Sequence, residues 1–157
     1  MNIIKAEILL NEQNLVVFQI WNSEYPKKLA FQKTEDFNEY LNKLEKPNHY
    51  LLQNNENKII GWAIDFIRDN EKWFAIIIDS KEQEKGRGKL LLTELKKYNV
   101  ELNGWVIDHN NDLKKTGEKY KSPLDFYVRN NFEVLSEIRM ENEILSAVKI
   151  KWKRNKA

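Results

Sequence analysis

Residues 72–98 read KWFAIIIDSKEQEKGRGKLLLTELKKY, and this stretch decides the fold. It begins with an apolar run that predicts a strand over 72–79, buried on both faces. A turn with two glycines follows at residues 83–89, Gln-Glu-Lys-Gly-Arg-Gly-Lys. Four side chains beyond it repeat at helical spacing and predict a helix to about residue 98: Leu91, Leu92, Leu95 and Tyr98. A buried strand, a glycine turn and an amphipathic helix in this order indicate a mixed α/β domain.

The 83–89 turn has the features of an anion-binding site. The first N–H groups of a helix point outward, its dipole favours negative charge, and glycines let a ligand approach the backbone. Lys85, Arg87 and Lys89 add positive charge. A diphosphate is therefore the expected ligand.

Two common phosphate loops do not fit this turn. A dinucleotide fingerprint needs a third glycine where Leu91 stands. A Walker A loop needs a glycine where Gln83 stands and a hydroxyl where Leu90 stands. Nucleotide hydrolysis is therefore not supported.

Outward from this stretch, periodicity and turn signals predict one domain over residues 1–157, with the order β-α-α-β-β-β-α-β-α-β-β. The predicted strands are 2–10, 49–54, 58–68, 72–79, 100–108, 132–141 and 144–153, and the predicted helices are 12–21, 34–45, 89–98 and 123–130. The helix between strands 72–79 and 100–108 makes those two strands parallel, while hairpins make the others antiparallel. The polar loop of about a dozen residues after Asp108 exceeds the usual ~2–6 residues of such a connection, so it is functional or an insertion.

Composition narrows the function classes. The net charge of +2 argues against a dedicated nucleic-acid binder. The absence of cysteine excludes disulfides, thiolate zinc sites and cysteine nucleophiles, and two histidines give a metal site little support. No apolar run approaches the ~20 residues of a membrane span, and the first residues lack a signal-peptide pattern, so we expect a cytoplasmic protein with no membrane partner.

Two motifs resemble the GNAT superfamily of N-acetyltransferases. Gln83 to Gly88 matches its Gln/Arg-x-x-Gly-x-Gly/Ala pyrophosphate motif, and residues 124–132, LDFYVRNNF, resemble its FYxxxGF element about forty residues downstream. Asn131 stands where a glycine usually precedes the phenylalanine, and asparagine tolerates the left-handed backbone of a helix end. By element order the resemblance covers nearly the whole chain and implies the GNAT fold, with a mostly antiparallel sheet and one splayed parallel pair.

The resemblance implies an acetyl-CoA-dependent N-acetyltransferase without a metal. The pantetheine arm is expected between the two splayed strands, and a backbone N–H near Ile78 is expected to stabilise the oxyanion. Tyr127 resembles the general acid that protonates the departing thiolate. The residues implied in coenzyme binding are Ile76, Ile77, Ile78, Gln83, Glu84, Lys85, Gly86, Arg87, Gly88, Lys89 and Asn110, with Asn111 as the alternative to Asn110.

The general base is left open by the sequence. Some family members carry a glutamate early in the fourth strand, where the glycine alignment puts Lys72, with Glu71 one residue out of phase. The other candidates are Asp79, Asp108, His109, Asp65 or a water chain. Trp21 and Tyr25 lie where the family usually builds its acceptor pocket, although core packing is the simpler reading of both, and the loop around residues 114–121 could cap that pocket.

Three functions remain open at this stage. The first is acetylation of a small amine or a peptide amine, the second is a noncatalytic acyl-CoA sensor or regulatory module, and the third is a protein acetyltransferase. The alternating basic segment 149–154 indicates an edge strand with a solvated, charged face. A homodimer through the terminal strand 144–153 is a further expectation.

Overall fold

The computed structural model describes residues 1–155 as one seven-stranded sheet with helices on both faces. The strands are β1 (Asn2–Ala6), β2 (Glu45–Gln53), β3 (Ile59–Arg68), β4 (Glu71–Ile78), β5 (Glu101–Val106), β6 (Glu133–Glu141) and β7 (Ser146–Lys153). The helices are α1 (Asn11–Glu24), α2 (Thr34–Asn42), α3 (Arg87–Tyr98) and α4 (Leu124–Arg129), with short 3₁₀ turns at Lys27–Leu29 and Ser80–Glu82. The order of strands and α-helices is the predicted one. No helix within residues 1–155 is long and apolar enough to cross a membrane.

The sheet order is β1-β2-β3-β4-β5-β7-β6, and β4 and β5 form its parallel pair. The β3–β4 hairpin closes through Asp69 and Asn70, which have φ values of +53° and +62°. Asp and Asn accept this left-handed backbone more readily than most residues, so a two-residue hairpin turn fits here. Arg68 pairs with Glu71 across the turn, and the register runs unbroken to Gly61 opposite Ile78.

Two apolar clusters cover the two faces of the sheet. On one face, α1 and α2 pack Val17, Trp21 and Phe37 against Trp62 and Trp73. The opposite cluster, which includes α3 and α4, has the core residues Leu91, Leu92, Leu95, Phe74, Ile78, Tyr127 and Phe132. Side chains of β4 alternate between the two clusters, as the predicted burial on both faces requires.

Several boundaries differ from the prediction. β1 ends at Ala6, four residues early, and α1 continues to Glu24, past the predicted end at residue 21. β2 already begins at Glu45, where the prediction had a helix end. Pro47 is tolerated in β2 because β1 pairs only with residues from His49 onward, so the missing proline N–H leaves no ladder bond to β1 unmade.

The prediction of a terminal edge strand is wrong. β7 lies between β5 and β6, and the edges of the sheet are β1 and β6. Lys149 and Lys151 donate to Glu71 at 2.9 and 3.1 Å, and Lys151 also pairs with Glu101 at 3.2 Å. The charged alternation therefore reflects ion pairs with the starts of β4 and β5. Since both backbone edges of β7 are paired, a dimer cannot extend the sheet there.

Candidate active site

β4 and β5 separate after a single register pair, Trp73 opposite Asn103. The Asp79 N–H donates to the Ile60 carbonyl at 2.9 Å. Because hydrogen-bonded pairs alternate along an antiparallel ladder, the polar backbone groups of Ile77 also face β3, and those of Ile76 and Ile78 face β5. Beyond Trp73, β5 forms no register pair with Ile76 or Ile78. The N–H and C=O of Ile77 are occupied by β3, so Ile76 and Ile78 are the residues whose backbone faces the gap.

The N-terminus of α3 lies just beyond the open end of β4. Gly86 precedes the helix with φ of +79°, and Glu84 has φ of +64°. In the part of the chain that the structure describes, none of the backbone N–H groups of residues 84–89 donates to another residue. A Cβ on Gly86 would meet nothing within 4 Å, so this face of the turn is open.

Side chains of the turn have different surroundings. Lys85 and Arg87 both lie 3.6 Å from the Glu82 carboxylate, while Lys89 is exposed and the exposed Glu84 lies 3.9 Å from Lys121. The positive charge around the turn is thus partly neutralised by Glu82.

Gln83 acts on the protein backbone rather than facing the open turn. Its Nε2 donates to the Ile78 carbonyl at 2.9 Å and lies 3.5 Å from Glu24 Oε1. Glu24 Oε2 accepts from the Ser80 N–H at 2.9 Å. Gln83 therefore fixes the end of β4 relative to the turn and leaves the N–H of Ile78 free.

The two sequence motifs meet at Gly88. A Cβ there would lie 3.4 Å from the Phe126 ring, so glycine lets α4 approach the first turn of α3. Asn131 ends this segment with φ of +71°, the left-handed backbone that the asparagine substitution allows. The contact holds α4 and its Tyr127 beside the open strands.

Tyr127 is buried among aromatic rings of the α3–α4 face. Its ring centroid lies 5.6 Å from Phe74, 5.2 Å from Phe132 and 5.1 Å from Phe126. Its hydroxyl has no hydrogen-bond partner within residues 1–155. Burial, with a smaller contribution from Tyr120, raises the pKa of Tyr127 well above the usual tyrosine range, so the phenol keeps its proton at neutral pH.

A cavity of about 500 Å³ passes between the separated strands to Tyr127. Ten of its lining residues are aromatic: Trp21, Tyr25, Phe31, Tyr40, Phe66, Trp73, Phe74, Trp105, Tyr120 and Tyr127. Its charged lining residues are Lys28 and Arg68, and no Asp, Glu or His of the described chain lines it. The cavity is an aromatic chamber with cationic side chains.

The long loop after β5 covers one side of this cavity. Leu113 and Lys119 form an antiparallel bridge, and the Leu113 carbonyl accepts from the Lys27 N–H at 2.8 Å. Tyr120 lines the cavity and lies 6.4 Å from Tyr25, centroid to centroid. Burial raises the pKa of both phenols, so both are neutral donors at neutral pH.

The candidate general bases lie outside the cavity. Asp108 accepts two hydrogen bonds from Arg139, at 2.8 and 3.0 Å, which lower its pKa. His109 lies 3.8 Å from Asp112 in the loop, and Asp79 accepts from the Lys81 N–H at 3.0 Å.

Asp65 is a buried structural carboxylate. It accepts from Tyr50 at 2.6 Å, Asn48 at 2.9 Å, Asn99 at 3.1 Å and Lys72 at 3.2 Å. Burial acts to raise its pKa, but these donors outweigh burial and hold the pKa below the usual range. The ion pairs of Glu71 with β7 and of Lys72 with Asp65 likewise give these two residues structural partners.

Asn110 closes the base of the loop. Its Oδ1 accepts from the Ser122 N–H at 2.7 Å, and the Ser122 hydroxyl donates to the Ile107 carbonyl at 2.5 Å. The Asn111 N–H donates to His109 Nδ1 at 3.1 Å. Asn110 therefore shapes the connection between β5 and α4, where the coenzyme contact was expected.

Sequence reasoning missed Glu24 and Arg68, and it named Tyr120 only as part of the loop 114–121. Glu24, Arg68 and Tyr120 come from α1, β3 and the loop, and only the fold brings them to one place. The sequence contains one weak indication of the role of Glu24: a charged residue on the buried side of a helix, near Trp21 and Tyr25, needs a partner of opposite charge or a hydrogen-bond donor.

Solved structures with the same architecture span the whole chain. One is an aminoglycoside 6'-N-acetyltransferase complexed with coenzyme A, with 11% identity, a TM-score of 0.73 and coverage of 98% of this chain and 97% of that chain. Another is a GNAT superfamily phosphinothricin acetyltransferase from Sinorhizobium meliloti with AcCoA, with 11% identity, a TM-score of 0.69 and coverage of 98% and 89%. A third is spermidine N-acetyltransferase from Vibrio cholerae with CoA and spermine, with 13% identity, a TM-score of 0.71 and coverage of 97% and 95%.

No protein-family model matches the sequence, and no curated protein matches it. At identities of 11–13% the structural likeness defines the architecture. Together with the separated β4–β5 pair and the sheet order, it shows that this chain has the GNAT fold.

Proposed function

We propose that the protein is an acetyl-CoA-dependent N-acetyltransferase that transfers the acetyl group directly to a primary amine. The observation that carries the proposal is the alignment of three features that have no partner within residues 1–155: the backbone of Ile76 with the N–H of Ile78, the N–H groups of residues 84–89, and the Tyr127 hydroxyl. An elongated coenzyme with a diphosphate needs these features in this order.

The residues present fit coenzyme A. The free N–H groups of residues 84–89 suit a diphosphate, and the open space at Gly86 leaves room for it. Lys89 supplies exposed positive charge there, while Gln83 holds the end of β4. The strand edge suits the amide groups of a pantetheine arm, since the N–H and C=O of Ile76 and the N–H of Ile78 face the gap.

Acetyl-CoA supplies an activated thioester carbonyl when bound. The neutral acceptor nitrogen bonds to the acetyl carbon while the bond from that carbon to sulfur breaks. In this scheme the N–H of Ile78 stabilises the negative charge that develops on the carbonyl oxygen. Tyr127 donates its proton to the departing thiolate and regains one from solvent.

The amine proton leaves to water in this scheme. Within residues 1–155, no carboxylate or imidazole lines the cavity, so the four cavity tyrosines are its titratable oxygen groups. Burial raises the pKa of Tyr25, Tyr120 and Tyr127, so these phenols are poor bases at neutral pH.

The experiment is a calorimetric titration with acetyl-CoA of the wild-type protein and of Gly86→Asp. The new carboxylate would repel a diphosphate, and the left-handed backbone adds strain. Gly117→Asp is the matched control, because Gly117 also has a positive φ, of +90°, with open space around its Cα, but lies in the loop after β5.

Saturable binding by wild type and Gly117→Asp, lost in Gly86→Asp, supports the coenzyme site. Absence of binding by the wild-type protein overturns the proposed function. A noncatalytic acyl-CoA sensor would bind in the same way, and the Tyr127 substitution described in the Discussion separates it from an enzyme.

A further inference from the structure

The cavity has an unusual balance of donors and acceptors for a site that receives an amine. Its side chains offer an Arg guanidinium, a Lys ammonium and the phenols of Tyr25, Tyr40, Tyr120 and Tyr127, but no carboxylate within the described chain. Ammonium groups of a polyamine need carboxylates or uncovered aromatic faces. This chamber instead offers hydrogen-bond donors to an anion.

Arg68 is the strongest of these donors. It is half-buried at the end of β3, with its guanidinium carbon 5.0 Å from the Phe66 centroid and 5.7 Å from the Trp73 centroid. It therefore already covers aromatic faces that could otherwise hold a cation. No carboxylate within residues 1–155 forms an ion pair with Arg68 or with Lys28.

Tyr40 joins Arg68 on the α1–α2 face. Burial raises the pKa of Tyr40, and the nearby Arg68 guanidinium only partly offsets that effect. A neutral phenol beside a guanidinium gives two kinds of donor for one oxyanion.

The rest of the chamber suits a flat apolar group. Trp73 and Trp105 face each other across the separated strands, with centroids 5.3 Å apart and planes inclined by 32°. Trp21 and Tyr25 meet edge to face at 4.6 Å on the adjacent wall. Aromatic walls of this kind bind a ring better than a flexible charged chain.

We propose that the acceptor is an aromatic primary amine that also carries a carboxylate, which binds Arg68 and the Tyr40 hydroxyl. This inference rests on the proposed acetyl transfer and specifies its second substrate. The aromatic ring lies among the tryptophans and tyrosines, and the amine points through the gap toward Tyr127. Within the described chain the cavity lining has two cations and no carboxylate, which disfavours a polycation.

The test uses the full-length protein with saturating acetyl-CoA and measures thiol release. Two matched pairs differ by a carboxylate alone: L-phenylalanine with phenethylamine, and 4-(aminomethyl)benzoate with benzylamine. Spermidine is the polycationic probe. Quenching of tryptophan fluorescence reports binding independently, since three tryptophans line the cavity: Trp21, Trp73 and Trp105.

We expect kcat/KM to be about tenfold or more higher for at least one carboxylate-bearing amine than for its partner, as one charge-assisted interaction gives. Arg68→Gln should remove most of this preference, measured as the ratio of kcat/KM within each matched pair. Arg68→Lys should restore part of the preference, because the charge remains without the fork geometry.

The inference is overturned if spermidine or the uncharged partners are preferred, or if Arg68→Gln leaves the preference unchanged. It is also overturned if acetyl-CoA binds but no carboxylate-bearing amine reacts or quenches fluorescence. Failure of acetyl-CoA to bind is seen separately in the coenzyme titration and overturns the proposed function itself.

Discussion

Lys114 of the loop after β5 donates to the Glu24 carboxylate of α1 at 3.1 Å, across 90 residues of sequence. Both side chains are largely buried, with exposed fractions of 13% and 6%. Glu24 also accepts from the Ser80 N–H that follows β4. One carboxylate therefore ties the loop, α1 and the end of β4 together at the proposed active site.

We expect Lys114→Ala to destabilise the protein by roughly 3 kcal/mol, because a buried carboxylate loses its cationic partner. The loop should also become more open to trypsin, and KM for the acceptor should rise while acetyl-CoA binding stays unchanged. Urea unfolding and limited proteolysis measure the two effects. Lys115→Ala is the matched control, since Lys115 is exposed. Equal stability of the two variants would contradict the role of the ion pair.

The strands and helices were largely predictable, because hydrophobic periodicity is a local signal. The α3 region shows this best: Gly86 and Gly88 fix the turn, and Leu91, Leu92 and Leu95 fix the buried side of the helix. The boundaries failed where a partner strand decides the outcome. Pro47 reads as a breaker in sequence, yet β2 contains it because β1 does not reach that far.

The site was predictable only where motifs are local. The motifs locate residues 83–88 and the segment with Tyr127, which the structure brings together at Gly88, but no local pattern reveals that the Gln83 side chain donates to the Ile78 carbonyl. β7 pairs with β5 and β6 and forms ion pairs with Glu71 and Glu101, and no local pattern reveals these partners. Long-range pairing of this kind is set by tertiary packing and is absent from single-sequence periodicity.

Tyr127→Phe should leave acetyl-CoA affinity unchanged and lower kcat about 10²–10⁴-fold, as loss of a general acid does. Stopped assays of thiol release and calorimetry measure the two quantities. Tyr98→Phe serves as the control, because Tyr98 is exposed at the end of α3. Full activity in Tyr127→Phe would remove Tyr127 from the mechanism, and a wild-type protein that binds acetyl-CoA without any turnover would favour the sensor.

The pH profile gives an independent check on Tyr127. Burial raises its pKa, so the proton that it donates stays in place through the alkaline range in which ordinary tyrosines ionise. With no carboxylate or imidazole of the described chain lining the cavity, kcat/KM should rise with pH as the acceptor amine loses its proton, without a falling limb below about pH 10. A falling limb at pH 8–9 that Tyr127→Phe abolishes would contradict the raised pKa.

Asp65→Asn should destabilise the protein by about 3 kcal/mol and leave acetyl transfer nearly unchanged, because its carboxylate accepts four hydrogen bonds away from the cavity. Chemical denaturation and steady-state rates at a temperature where both proteins are folded measure the two effects. The control is Asp69→Asn in the exposed β3–β4 turn. A large loss of kcat in a folded Asp65→Asn protein would instead support a role of Asp65 as the general base.

His49 should make the protein sensitive to acid. Burial lowers the pKa of His49 to about 4, and its Nδ1 accepts from the Trp62 indole N–H at 3.0 Å, a bond that needs the neutral ring. The unfolded chain therefore binds a proton near pH 6.5 that the folded protein does not bind until about pH 4. The free energy of unfolding is unaffected by His49 above pH 6.5, and protonation of this histidine in the unfolded chain lowers it by about 3 kcal/mol at pH 4. Protonation of carboxylates adds to this loss.

We expect His49→Gln to flatten this part of the stability profile, because the Gln oxygen can still accept from Trp62 but does not titrate. Urea unfolding between pH 8 and pH 4 measures the free energy of unfolding for both proteins. His109→Gln, which removes the other histidine of the chain, is the matched control. If His49→Gln loses as much stability as wild type between pH 6.5 and pH 4, the acid sensitivity comes from carboxylates such as Asp65. The pKa of Asp65 is lowered in the folded protein, so its contribution to the free energy of unfolding also decreases as the pH falls.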